Sequence, residues 1–146
     1  MDAEALTLCD VIVTFVRSPM KKDLPHPAKI LLVDDNILGS TARGMILKEH
    51  GYEVETALSG EEAWGIFQKD HFDIVVTDFR MKGMTGLELI ISSHKIHPQL
   101  KTVLTSGSVD AEVAAKHSRE VHKFLGKPYL PAQLTAMVGE LLQRRS

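Results

Sequence analysis

The chain has 146 residues, the size of one domain that can bury a core without covalent staples. Apolar residues make up 44% and charged residues 25%, and the formal net charge of −2 gives no general pull toward nucleic acid or an anionic membrane. The lone Cys9 excludes an intramolecular disulfide framework, no apolar run reaches the ~18–20 residues of a bilayer span, and Asp2 and Glu4 stand where a signal peptide would be positive, so the expected location is cytoplasmic.

Residues 1–28 read as an N-terminal appendage and linker. Val11 to Val16 suits a β-branched strand or part of a helix, and Ser18-Pro19 and Pro25-His26-Pro27 then break regular structure. Two readings of this segment stand: translation starting at Met20, or an apolar stretch that packs on the domain or on a second copy.

From Lys29 to Ser146 short apolar runs alternate with stretches of helical spacing. The runs are 29–33, 52–56, 73–77, 102–105 and 123–125; all but the second are nearly all apolar at their centres, which suits strands buried on both faces of a parallel sheet. The second sets Glu53 and Glu55 against Val54 and suits an edge. Asn36 is expected to cap a helix to about His50, with Gly51 at its C′ position. Ser59 and Glu62 have the spacing of a capping box, opening a helix to about Lys69. Thr85 or Gly86 begins the next helix, which ends at Ile96 before His97-Pro98; Asp110 is expected to cap 111–121, and Pro131 opens a last helix to about Gln143. Five βα units joined by right-handed crossovers make a doubly wound α/β domain with one five-stranded parallel sheet.

Functional groups in such a sheet gather at the carboxyl ends of its strands. There the first strand ends in Asp34-Asp35, the third in Asp78, the fourth in Thr105-Ser106-Gly107 and the fifth in Lys127-Pro128. Three clustered carboxylates repel one another unless a cation sits among them, and an oxygen-only ligand set favours a hard ion such as Mg²⁺. Taken singly, an Asp after a strand is most often a cap or turn former. The adjacent pair Asp34-Asp35 and the order of the four strand ends argue for a site.

The stretches Ile30-Leu31-Leu32-Val33-Asp34-Asp35-Asn36, Asp78 to Gly86, Leu104-Thr105-Ser106-Gly107 and Lys127-Pro128-Tyr129 resemble the receiver domains of two-component response regulators, the CheY-like superfamily. The resemblance runs from about Lys29 to the C-terminus and implies a flavodoxin-like (βα)5 fold with strand order 2-1-3-4-5. It further implies that Asp78 is the phosphoacceptor and that Asp35 ligates Mg²⁺ directly, with Asp34 acting mainly through water. The backbone carbonyl of Arg80 would be a third protein ligand, Ser106 the switch hydroxyl, Phe124 the switch aromatic and Lys127 the phosphate-pairing lysine. On that pattern a sensor histidine kinase or histidine phosphotransfer protein supplies the phosphoryl group. An unknown downstream protein reads the switched surface around the fourth helix, fifth strand and last helix. A homodimer through that surface or through the appendage is a further partner expectation; direct nucleic-acid or membrane binding is not expected.

The sequence departs from the family pattern at Lys82, where Pro is usual, at Thr85, where Asp is common, and at Ser106, which keeps the hydroxyl of the more frequent Thr. Arg80 and Ser108 occupy positions that tune hydrolysis of the acyl phosphate in the family. Phe124 on its residue type alone reads as core. His94 and His97 read as surface or packing residues, Trp64 as a partly buried aromatic, and Arg144-Arg145 as complements to the last helix dipole. The chain stops about a turn after its last helix, which fits a stand-alone receiver or one cut from a longer regulator. Beyond phosphorylating and dephosphorylating itself, it is not expected to be an enzyme. Two other classes remain: a receiver-fold interaction module independent of phosphorylation, and a haloacid-dehalogenase-like phosphohydrolase. The latter needs a carboxylate two residues after its nucleophile, where Arg80 stands.

Overall fold

The apolar runs pair into one sheet in the computed structural model, which describes residues 27–143. Among the described residues five strands, β1 (Lys29–Val33), β2 (Glu53–Ala57), β3 (Ile74–Asp78), β4 (Lys101–Ser106) and β5 (Lys123–Gly126), alternate with five helices. These are α1 (Ile37–Glu49), α2 (Gly60–Lys69), α3 (Gly86–Ile96), α4 (Val109–Lys116) and α5 (Pro131–Gln143). Every strand pair is parallel and the order is β2-β1-β3-β4-β5, as the resemblance implied. Residues 1–26 and 144–146, and with them most of the appendage and the Arg144-Arg145 pair, lie outside the described residues.

Both faces of the sheet are covered because the central strands are apolar on both. Ile30, Leu32, Ile74 and Val76 pack in a core with Leu47 of α1 and Leu134, Val138 and Leu141 of α5. Leu31, Val33 and Val75 pack on the opposite face with Ala63 and Phe67 of α2 and Leu89 of α3. A third cluster of Ile90, Leu104 and Ala115 fills the space under α3 and α4. Alternate residues of one strand thus feed two cores, as a period of two demands. Strand β2 is the edge, with Glu53 exposed. Ala28, just before β1, is buried, and its carbonyl accepts from Glu53 N–H at 2.9 Å.

Local signals explain most helix ends. The Asn36 side chain accepts from Gly39 N–H, and Gly51 follows α1 with φ +95°. Thr85 and Glu88 form a complete capping box at the start of α3. Two expectations need correction. Ser59 does accept from Glu62 N–H at 3.0 Å, but Glu62 Oε1 accepts from Leu58 N–H at 2.6 Å, so the reciprocal bond reaches one residue further back than in a capping box. The fourth helix is capped by Ser108, not Asp110, and ends at Lys116 rather than 121. The chain after it is drawn to the sheet: Thr102 Oγ1 donates to Glu120 O and accepts from His122 N–H at 3.1 Å, bonds that a continued helix would forbid. No described helix is long and apolar enough to cross a membrane.

Candidate functional site

Strand order reverses between β1 and β3, and the crevice at such a switch point opens beyond the carboxyl ends of the strands. Asp34 follows β1 on one side of it and Asp78 ends β3 on the other. Asp34 is held by its whole residue. Its N–H donates to Ala57 O at 3.1 Å, tying it to β2, and its Oδ1 accepts from Asn36 N–H at 2.9 Å in an Asx turn. Its Oδ2 faces two cations, Arg43 Nη2 at 2.5 Å and Lys127 Nζ at 3.4 Å. Asp35 is exposed beside it. Asp34, Asp35 and Asp78 each bring one carboxylate oxygen within 4.8 Å of the others.

Lys127 crosses the crevice. Its N–H donates to Ser106 O at 2.9 Å, the Lys127–Pro128 peptide is cis, and its Nζ lies 3.2 Å from Asp78 Oδ1 as well as near Asp34. Burial raises the Asp78 carboxyl above the ordinary carboxylate range; the Lys127 ammonium opposes that rise, and the Asp34 and Asp35 carboxylates add to it. Burial works against the Lys127 charge, but the carboxylates of Asp78 and Asp34 outweigh it and leave the ammonium more firmly protonated than usual. The donor set is all carboxylate, close-set and in excess of its nearest lysine, which fits a hard divalent cation such as Mg²⁺.

Ser106, the last residue of β4, is buried, and its hydroxyl oxygen accepts from Ser108 N–H at 3.1 Å. Phe124 lies one strand over, half-buried against the Ile90, Leu104 and Ala115 cluster beside Phe79 and Val121. Arg80 sits two residues beyond Asp78 in the loop to α3, with its side chain exposed. The predicted carboxylates and lysine therefore meet, while Ser106 and Phe124 line the neighbouring strands.

Sequence reasoning missed how the loop after Asp78 is built. Phe79 N–H donates to Thr105 O at 2.8 Å and Gly86 N–H returns to Phe79 O at 3.0 Å. Glu61, in the first turn of α2, accepts from Met84 N–H at 2.8 Å, and Gly83 has φ +83°. This clamp fixes the loop where Lys82 replaces the usual Pro. Arg43 was missed as well. Its one signal is spacing: seven residues after the cap Asn36, two helical turns, put it on the cap's own face. With Tyr129, whose ring lies 6.0 Å from its guanidinium carbon, it lines a cleft of about 450 Å³ that runs from Asp34 and Lys127 toward the start of α5.

A flavodoxin-like sheet with an acidic trio and a lysine at its switch point defines the CheY-like class of signalling domains. The chain belongs to the response regulator receiver domain family, which it matches over residues 30–139. It is 32% identical over 120 residues to the transcriptional regulatory protein GlrR of Escherichia coli, an alignment covering 81% of this chain and 27% of that one. It is 33% identical over 126 residues to the sensor kinase CckA of Brucella abortus, covering 84% and 13% respectively. The chain thus spans about a quarter or less of these relatives' lengths. A CheY-like receiver domain structure from Methanospirillum hungatei superposes with a TM-score of 0.74 at 28% identity, covering 80% of this chain and 94% of that one. One from Clostridium thermocellum gives 0.73 at 28% identity over 80% and 95%.

Proposed function

We propose that the chain accepts a phosphoryl group on Asp78 from a phosphohistidine of a sensor kinase or phosphotransfer protein, and that the modified domain presents a changed surface to a downstream protein. The observation that carries the reading is the contact of Lys127 Nζ with Asp78 Oδ1 at 3.2 Å, inside the trio of Asp34, Asp35 and Asp78. An Asp78 oxygen attacks phosphorus in line; the P–N bond to the donor imidazole breaks, its electron pair stays on the ring nitrogen, and an acyl phosphate forms. Lys127, already shared between Asp78 and Asp34, needs only to shift toward a phosphoryl oxygen. Ser106 frees its hydroxyl from the Ser108 amide to donate to another, and Phe124 repacks beside it. Mg²⁺, held by Asp35, Asp78 and the Arg80 carbonyl with Asp34 acting through water, would neutralise charge on the transferring oxygens. On this reading the protein is a cytoplasmic signalling module that turns over only its own phosphoryl group.

Incubation with acetyl phosphate, with and without Mg²⁺, followed by intact-mass measurement tests it. The expected result is one phosphoryl group that requires Mg²⁺ and is absent in Asp78→Asn. Persistence of that mass in the variant places the acceptor elsewhere and defeats the reading.

A further inference from the structure

Arg43 is built into the acidic cluster from outside the family's motif positions. Its guanidinium lies back along α1 toward Asp34, and Gly39 makes the room: a Cβ at Gly39 would sit 3.0 Å from Arg43 Nη1 and 3.3 Å from Nη2. A glycine inside a helix costs about 1 kcal/mol relative to alanine, so that space is bought at a loss in helix propensity. The Tyr129 ring flanks the guanidinium carbon at 6.0 Å, and the side chain is only 19% exposed. The group so held donates to Asp34 Oδ2 at 2.5 Å, while Asn36 N–H occupies Oδ1 at 2.9 Å. Both oxygens of Asp34 are therefore engaged by protein donors. Asp35, exposed, and Asp78 are the carboxylates with oxygens less encumbered.

We propose that Arg43 is a specificity-determining residue for the divalent cation: it withholds Asp34 from direct ligation, which keeps affinity modest and favours Mg²⁺ over Ca²⁺. The inference rests on the phosphoacceptor reading above, which is what gives the cluster a cation to hold. Its physical basis has two parts. A fixed positive charge one hydrogen bond from a carboxylate cluster opposes any second cation there. Mg²⁺ keeps several waters and takes few protein oxygens, whereas Ca²⁺ gains from each additional oxygen ligand up to six to eight. Removing Arg43 leaves only the longer Lys127 contact, 3.4 Å, on Asp34 Oδ2, so it helps both ions and helps Ca²⁺ more.

The test is titration calorimetry of the full chain with MgCl₂ and with CaCl₂, for the wild type, Arg43→Met, Arg43→Lys and Gly39→Ala. Met keeps an apolar stem without the charge and is expected to tighten Mg²⁺ binding roughly three- to tenfold, the scale of one partly screened unit charge nearby. Ca²⁺ should tighten at least about threefold more than Mg²⁺, since it gains a ligand as well. Lys keeps the charge and is expected to stay close to wild type. Gly39→Ala leaves Arg43 in the sequence but pushes its guanidinium off, so it should move both affinities in the direction of Arg43→Met by a smaller factor, with no loss of thermal stability. Unchanged or weaker binding in Arg43→Met, or equal tightening for both ions, overturns the proposal. The same samples treated with acetyl phosphate separate the two claims: a wild type that takes Mg²⁺-dependent phosphate on Asp78 leaves the function standing when the Arg43 result is negative, and one that takes none removes the function itself.

Discussion

A Cβ placed on Gly86 would lie 2.1 Å from the backbone carbonyl oxygen of Asp78. The first turn of α3 thus rests directly on the backbone of Asp78, and only glycine permits that approach. The Gly86 amide makes use of it, donating to Phe79 O at 3.0 Å and closing the loop that leaves Asp78.

Gly86→Ala is therefore expected to destabilise the domain by about 3 kcal/mol, the upper range for overpacking against atoms that cannot rotate away. Urea unfolding measures this. Because backbone rather than a flexible side chain must move, the variant should also be phosphorylated more slowly by acetyl phosphate. A loss below about 1 kcal/mol would mean that α3 can move off the Asp78 backbone at little cost.

The fold was legible in sequence because each of its rules is local. Ile30-Leu31-Leu32-Val33 is apolar on both faces, so it had to be a central strand, and Asn36, Thr85 and Pro131 mark helix starts by side-chain chemistry alone. The carboxylates were legible because strand ends converge in such a sheet. What escaped were relationships between segments. Asp110 has the chemistry of a cap but Ser108, two residues earlier, wins it; Thr102 then holds Glu120 and His122 at the sheet, and nothing in the local pattern of α4 announces that pull. Arg43 and Glu61 likewise look like surface charges until α1 and α2 are placed beside Asp34 and Met84.

Glu61 carries the second prediction. Its carboxylate takes the Met84 amide at 2.8 Å, and a Cβ on Gly83, whose φ is +83°, would lie 2.5 Å from the same carboxylate oxygen. Both residues hold the loop that runs from Asp78 through Arg80. Glu61→Ala should speed amide exchange at Met84 at least about tenfold, as one charge-assisted hydrogen bond is worth about 1.5 kcal/mol or more. Gly83→Ala should cost about 2 kcal/mol through its left-handed backbone. Unchanged exchange at Met84 in Glu61→Ala would show the loop to be held by other contacts.

The Asp78 carboxyl titrates above the ordinary carboxylate range, chiefly because it is buried. The folded protein then binds that proton more tightly than the unfolded chain does. Stability owed to this group is full below the ordinary carboxylate pKa and is lost as pH rises through the raised folded value. At neutral pH ionised Asp78 is a net cost to the fold, which Asn removes while Lys127 keeps Asp34 at 3.4 Å. Asp78→Asn is thus expected to melt about 3 °C higher at pH 7 in chelator-treated buffer, equivalent to about 1 kcal/mol. The gain should shrink toward zero as pH falls below the ordinary carboxylate range. A variant that melts lower at pH 7 would show the Lys127 ion pair to outweigh the burial cost.

Lys127→Met tests that balance from the other side. The ammonium joins Asp78 Oδ1 at 3.2 Å to Asp34 Oδ2 at 3.4 Å, so its removal leaves two mostly buried carboxylates facing each other, with Arg43 on only one of them. Lys127 titrates above its ordinary range, so it stays charged at every pH below that range, and any pH dependence of the variant across acid and neutral pH belongs to the carboxylates. At pH 7 the loss is expected to be about 2 kcal/mol, the scale of charge-assisted hydrogen bonds removed from a half-buried site. Near pH 4 protonation of Asp78 relieves the repulsion, and the difference from wild type should fall to less than half. Asp78→Asn in the same background should restore part of the loss at pH 7 and none at pH 4, a coupling that a double-mutant cycle of melting curves reads directly. Equal losses at both pH values would mean that Lys127 stabilises the fold by packing its stem, and that the charge it places between Asp78 and Asp34 adds nothing net to stability.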